Sequence, residues 1–157
     1  MNALPPDPWR DLETLVRTRL ADGPVVIATA WMPGRTVGDR LGWPEGLHVV
    51  DAIPGADRTP VPRLQHIPVD HLELLGLRVN RLAVAGATGK ATLVVLAADH
   101  FLDRVPTAAL AEALSGMAAS RAAVQVELFT LTPDSPRLRD LASRLGLAGA
   151  TPSIHKP

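Results

Sequence analysis

Leu77 to Asp99 reads LRVNRLAVAGATGKATLVVLAAD, and the way this stretch is read decides the fold. Val79, Leu82 and Val84, then Leu93, Val94, Val95 and Leu96, are residue types that suit a pleated, buried surface. Ala85 to Lys90 lies between the two runs and carries Gly86 and Gly89, which supply a turn at little steric cost. The stretch therefore predicts two β-strands joined by a tight turn. The second strand is apolar without interruption from Ala91 to Ala98, the pattern of a strand covered on both faces or set in the middle of a sheet.

Gly86-Ala87-Thr88-Gly89-Lys90 follows an apolar run and invites a phosphate-binding reading. A P-loop needs Gly, four residues, then Gly-Lys-Ser/Thr. Here Val84 stands at the first glycine position and Ala91 replaces the hydroxyl. The opening Gly-Ala-Thr-Gly resembles the start of a short-chain dehydrogenase turn, but such turns lead into a helix. This one leads into Ala91-Thr-Leu-Val-Val-Leu, and Thr92 holds the third glycine position. A plain turn is the better reading.

Outward from that stretch, Leu47 to Ile53 predicts a strand, and Ile67 to Gly76 a short helix with Gly76 as its C-terminal glycine. Val105-Pro106 opens a helix with a stripe of Leu110, Ala113, Leu114 and Met117. Val124 to Thr132 predicts a strand with Val124, Val126 and Leu128 inward and Phe129 and Leu131 on its outer face. From residue 47 to 132 the order is β-α-β-β-α-β, which predicts an α+β, ferredoxin-like sheet. A helix started by Asp7-Pro8 and a strand Val25 to Ala30 form an N-terminal extension. Pro133 to Pro136 caps a last helix with a stripe of Leu138, Leu141 and Leu145. The 157 residues predict one domain, with flexible ends at 1–6 and 147–157.

Composition narrows the function classes. Apolar residues make up 46%, enough for an aliphatic core and an interface besides. Sixteen basic and sixteen acidic residues cancel, so no overall field draws the chain to nucleic acid. Cysteine is absent, which removes disulfides, thiolate nucleophiles and cysteine metal sites. The N-terminus has no signal-peptide pattern and no apolar run is long enough to span a bilayer, so the expectation is a cytoplasmic protein without a membrane partner.

Candidate sites are few. Trp31 to Gly46 holds Trp31, Arg35, Arg40 and Trp43 in a long loop, and Trp and Arg are the types enriched at binding hot spots. The alternative is that the tryptophans fold back over the core. Asp99, His100 and Asp103 with Arg104 form an acid–base cluster at a strand end, or simply cap the elements there. His66, Asp70 and His71 lie close in sequence, but the two histidines are five apart and do not share a helix face. No cofactor motif and no serine elbow is present. The sequence thus favours a non-catalytic protein acting through contacts with itself or another protein, with Trp31, Arg35, Arg40, Trp43, Phe129 and Leu131 as contact residues. The alternatives are a small enzyme using Asp99 to Arg104, and nucleic-acid binding through loop 31–46.

Overall fold

In the computed structural model, which describes residues 6–53, 60–118, 123–150 and 152–156, six parallel strands form one sheet. The elements in chain order are α1 (Pro6–Leu20), β1 (Val25–Thr29), α2 (Gly34–Leu41), β2 (Leu47–Asp51), β3 (Leu64–His66), α3 (Leu72–Ala85), β4 (Lys90–Leu96), α4 (Ala98–Leu102), α5 (Thr107–Ala118), β5 (Ala123–Phe129), α6 (Pro136–Leu147) and β6 (Ser153–His155). A 3-10 turn, Val69–His71, leads into α3. The strand order is β3-β2-β1-β4-β5-β6, a doubly wound Rossmann-like α/β sheet.

The ferredoxin-like α+β reading is therefore corrected, and the error lies in residues 77–85, read as the first strand of a hairpin. Leu72, Leu75, Val79 and Ala83 are buried at helical spacing on α3, so the expected first strand is a helix. Gly76 misleads because it sits in mid-helix for packing rather than as a terminator. A Cβ there would lie 3.3 Å from Met117 Cγ on α5. The helix ends at Gly86, whose N–H reaches the carbonyls of Leu82 and Ala83. The remaining Thr88 and Gly89 connect it to β4, and no hairpin forms.

An all-parallel sheet needs a crossover between successive strands, and right-handed crossovers put helices on both faces. Val26, Ala28, Val50, Leu93, Val95, Val126 and Leu128 face α3, α4, α5 and α6. Val25, Ile27, Leu47, Val49, Val94, Leu96 and Phe129 face α1 and α2. This two-sided burial explains the unbroken apolar run of β4, which lies between β1 and β5. It also explains Phe129: in a sheet covered on both sides the supposed outer face is a second core, and Phe129 is only 2% exposed.

Segment 31–46 holds α2 rather than one long loop. Its Gly38 has a structural cause. Any Cβ on Gly38 would collide with the Trp43 indole, which lies across the helix. Trp43 Nε1 donates to Asp39 Oδ1 at 2.8 Å, and the Arg63 guanidinium lies 5.7 Å from the ring centroid. Arg63 also donates to the carbonyls of Trp43, Pro44 and Leu47. Trp43→Ala is expected to lower stability by about 3 kcal/mol, read as a shift in the urea midpoint.

His48 on β2 carries the clearest pH dependence. Burial pushes its imidazole below the ordinary value, and the charges of Arg78 and Arg63 push it further down. Its Nδ1 is buried without a hydrogen-bond partner among the described residues. The unfolded chain thus binds this proton more readily than the folded one. Stability from this group is intact above about pH 6.5 and declines as pH falls through that value toward the folded one. Urea midpoints measured from about pH 7.5 down to about 5.5 should fall, and His48→Gln should flatten the fall.

Candidate functional site

Open doubly wound sheets bind ligands at the carboxyl ends of the strands, where the strand order reverses. Here that point lies between β1 and β4. β1 feeds α2 on one layer, and β4 feeds α4 on the other. The first turn is Thr29-Ala30-Trp31-Met32-Pro33-Gly34, and its spacing overlays the Gly-x-Gly-x-x-Gly of a dinucleotide fingerprint. Only the third glycine survives. Gly34 does the job that position requires: a Cβ would lie 2.7 Å from Leu64 Cδ1 and 3.0 Å from Val49 Cγ1, so α2 can approach β2 closely.

The other two positions hold side chains. Thr29 closes the turn on itself. Its hydroxyl donates to the Met32 carbonyl at 3.0 Å and accepts from the N–H groups of Trp31 and Met32. Trp31 stands where the second glycine would admit a pyrophosphate. Its ring packs half-buried beside the α1–α2 core and meets the His100 ring of α4 at 5.7 Å between centroids. The two rings come from opposite sides of the strand-order reversal.

The helix N-terminus at this turn is also filled. Asp51, at the end of β2, is buried, and its Oδ2 accepts from Gly34 N–H at 2.8 Å while Oδ1 accepts from Ile53 N–H at 2.9 Å. A phosphate at this N-terminus would face that carboxylate, and Pro33 offers no N–H. In a fingerprint site the acidic residue after the second strand holds a ribose hydroxyl. Here the corresponding side chain is turned back onto α2.

The acid–base candidates do not converge. Asp99 accepts from Leu131 N–H at 2.7 Å, from Thr132 N–H at 3.2 Å and from the Thr132 hydroxyl, which ties the end of β4 to the end of β5. His100 turns toward Trp31, and Asp103 pairs with Arg137 at 2.5 Å on the exposed surface. Arg104 lines a groove between α3 and α5. His66 is half-buried on β3, Asp70 is exposed, and His71 faces Glu73 at 3.3 Å. Among the described residues no group of three or more metal-binding side chains gathers. No helix there is long and apolar enough to cross a membrane.

The Trp/Arg segment is likewise dispersed. Trp31 lies beyond the first residue of α2 and Trp43 beyond its last, an eight-residue helix apart. Arg35 leans toward Asp39 at 3.9 Å, and the Arg40 guanidinium lies 5.3 Å from the Trp9 ring. Leu131 packs half-buried against the same layer.

One buried cluster has no sequence signal. Glu127 on β5 is nearly inaccessible and faces the sheet side covered by α1. Gln125 Nε2 donates to it at 3.0 Å, Arg19 of α1 stands 3.7 Å away, and His155 of β6 3.3 Å away. The His155 ring also stacks on Phe129 at 4.3 Å. These contacts fasten α1 and the edge strand to the sheet.

An open concavity lies elsewhere. Between α3 and α5 runs a groove of about 760 Å³, with Gly76, Ala109, Ala113 and Met117 along it and Asp70, Glu73, Glu112 and Arg104 at its rim. Among the described residues the exposed large aliphatics on helices are Leu74 (45%), Leu77 (53%) and Val84 (71%) on α3 and Leu147 (88%) on α6. All four belong to this layer, and α1 and α2 contribute none. Comparison with known protein families, with curated proteins and with solved structures returns no match, so the geometry alone carries the functional reading.

Proposed function

We propose that this protein works through protein contacts made by its α3–α5–α6 layer, not through chemistry at the carboxyl edge of the sheet. The observation that carries the reading is the segregation of exposed aliphatic side chains to that layer, beside an apolar groove of about 760 Å³. Apolar patches of this kind mark interaction surfaces. At the edge where a doubly wound sheet would take a nucleotide, Trp31 stands in place of a fingerprint glycine and the Asp51 carboxylate takes the start of α2, which speaks against the main competing use of the fold.

Photolabelling with bis-ANS, an apolar dye, tests the choice of surface. Label on residues 69–80 or 104–117 is the expected result. Label on the loops carrying Trp31 and His100, or none at all, would overturn the reading. Gly116 supplies a matched variant, because a Cβ there meets nothing within 4 Å and any side chain extends from the groove wall into open space. Gly116→Arg should fold and lose the label. Gly116→Ala should raise stability by roughly 0.5–1 kcal/mol in a urea titration, since a glycine in an exposed helix interior costs about that much.

A further inference from the structure

α3 carries two apolar stripes. Leu72, Leu75, Val79 and Ala83 form the inner one and pack on the sheet and α5. Leu74, Leu77 and Val84 form the outer one, with exposed Arg81 at the position between the last two. The outer positions 74, 77, 81 and 84 are spaced three, four and three, which is the alternation of a two-helix seam. A helix whose inner face is already satisfied has no intramolecular need for this second stripe.

We infer that the outer stripe of α3 pairs with the same stripe of a second copy, antiparallel, about a twofold axis. This rests on the contact function proposed above and names the partner. A twofold interface must be self-complementary. Antiparallel pairing about the centre of α3 sets Leu74 against Val84 of the second copy, and Leu77 against Arg81. The aliphatic stem of Arg81 then covers Leu77 of the second copy while its guanidinium reaches water and the Glu73 carboxylate one turn away. Parallel pairing would instead stack Arg81 on Arg81. Charge favours the antiparallel arrangement on the rim too, because it keeps the acidic Asp70, Glu73 and Glu112 of one copy away from those of the other. Arg81 has no ion-pair partner among the described residues, so it is available to the second copy. The helix has 14 residues, about 21 Å, so the seam is short and the dimer dissociates on dilution.

Sedimentation velocity over a concentration series tests this on wild type, Leu77→Glu and Arg81→Leu, each checked for fold by circular dichroism. Leu77 is more than half exposed, so the charge at that position leaves the monomer folded. Wild type should show a monomer–dimer equilibrium, Leu77→Glu should weaken it at least about tenfold, and Arg81→Leu should tighten it by completing the stripe. A monomeric wild type at the highest concentration reached would overturn the inference, as would a dimer indifferent to both substitutions. If bis-ANS still labels the α3–α5 groove of that monomer, the contact function survives and only the second copy is lost. If the label is absent as well, both fall.

Discussion

Asp51→Ala should lower stability by about 3 kcal/mol, among the largest effects of any single substitution away from the aliphatic core. The side chain is buried, and it is the one group that satisfies both Gly34 N–H at the start of α2 and Ile53 N–H beyond β2. Its removal leaves two donors unpartnered and deletes the carboxylate that the N-terminus of α2 favours. Asp51→Asn keeps an acceptor without the charge and should lose roughly half as much. Urea denaturation measures both. Equal small losses would mean that water replaces the carboxylate and that α2 is not held by it.

Gly23→Ala is the second large effect, expected at about 3 kcal/mol in the same assay. The glycine lies where the turn from α1 to β1 crosses the start of β4, and a Cβ would collide with the Lys90 carbonyl oxygen. Backbone cannot rotate away as a side chain can. Two bonds hold the crossing together: the Thr88 hydroxyl donates to the Asp22 carbonyl at 2.5 Å, and Thr92 N–H donates to the Pro24 carbonyl at 3.1 Å. Separating the strands to admit a methyl group would strain both. Gly116→Ala, in open space, should move stability the other way, so the pair separates close approach from helix propensity.

Gly23 and Gly76 show what the sequence makes legible. Asp22-Gly23-Pro24 reads correctly as the end of a helix, yet the reason for the glycine, a neighbouring backbone, is tertiary and leaves no local trace. Gly76 leads to the opposite error. A glycine nine residues after Ile67 looks like a terminator, so the second half of α3 reads as a strand, and the direction of the whole sheet goes with it. Regular elements with full periodicity, β1, β2, α5, β5 and α6, are readable. β3 and β6 are three residues each, too short for any period, and α4 has five. α2 has little apolar content besides Val37 and Leu41.

The candidate site was legible only in part. Trp31 stands out by type, but the fingerprint spacing of Thr29, Trp31 and Gly34 does not, because two of the three glycines are replaced. Asp51 and Glu127 draw their importance from partners far away in the chain, Gly34 N–H at 2.8 Å and His155 at 3.3 Å, which sequence distance conceals. A hint existed for Asp51, an acid ending the apolar run Leu47-His-Val-Val. The outer stripe of α3 becomes visible only once residues 77–84 are helical.

The proposed function leaves the carboxyl edge of the sheet without a nucleotide and puts the working surface on the α3–α5–α6 layer. Titration of the protein with NADH, followed by the fluorescence of the nicotinamide, tests it most directly. No saturable binding at millimolar protein or ligand is expected, because Trp31 replaces the second fingerprint glycine and Asp51 opposes a phosphate at the start of α2. Saturable binding that is lost on Trp31→Ala would contradict the account and return the function to the strand ends.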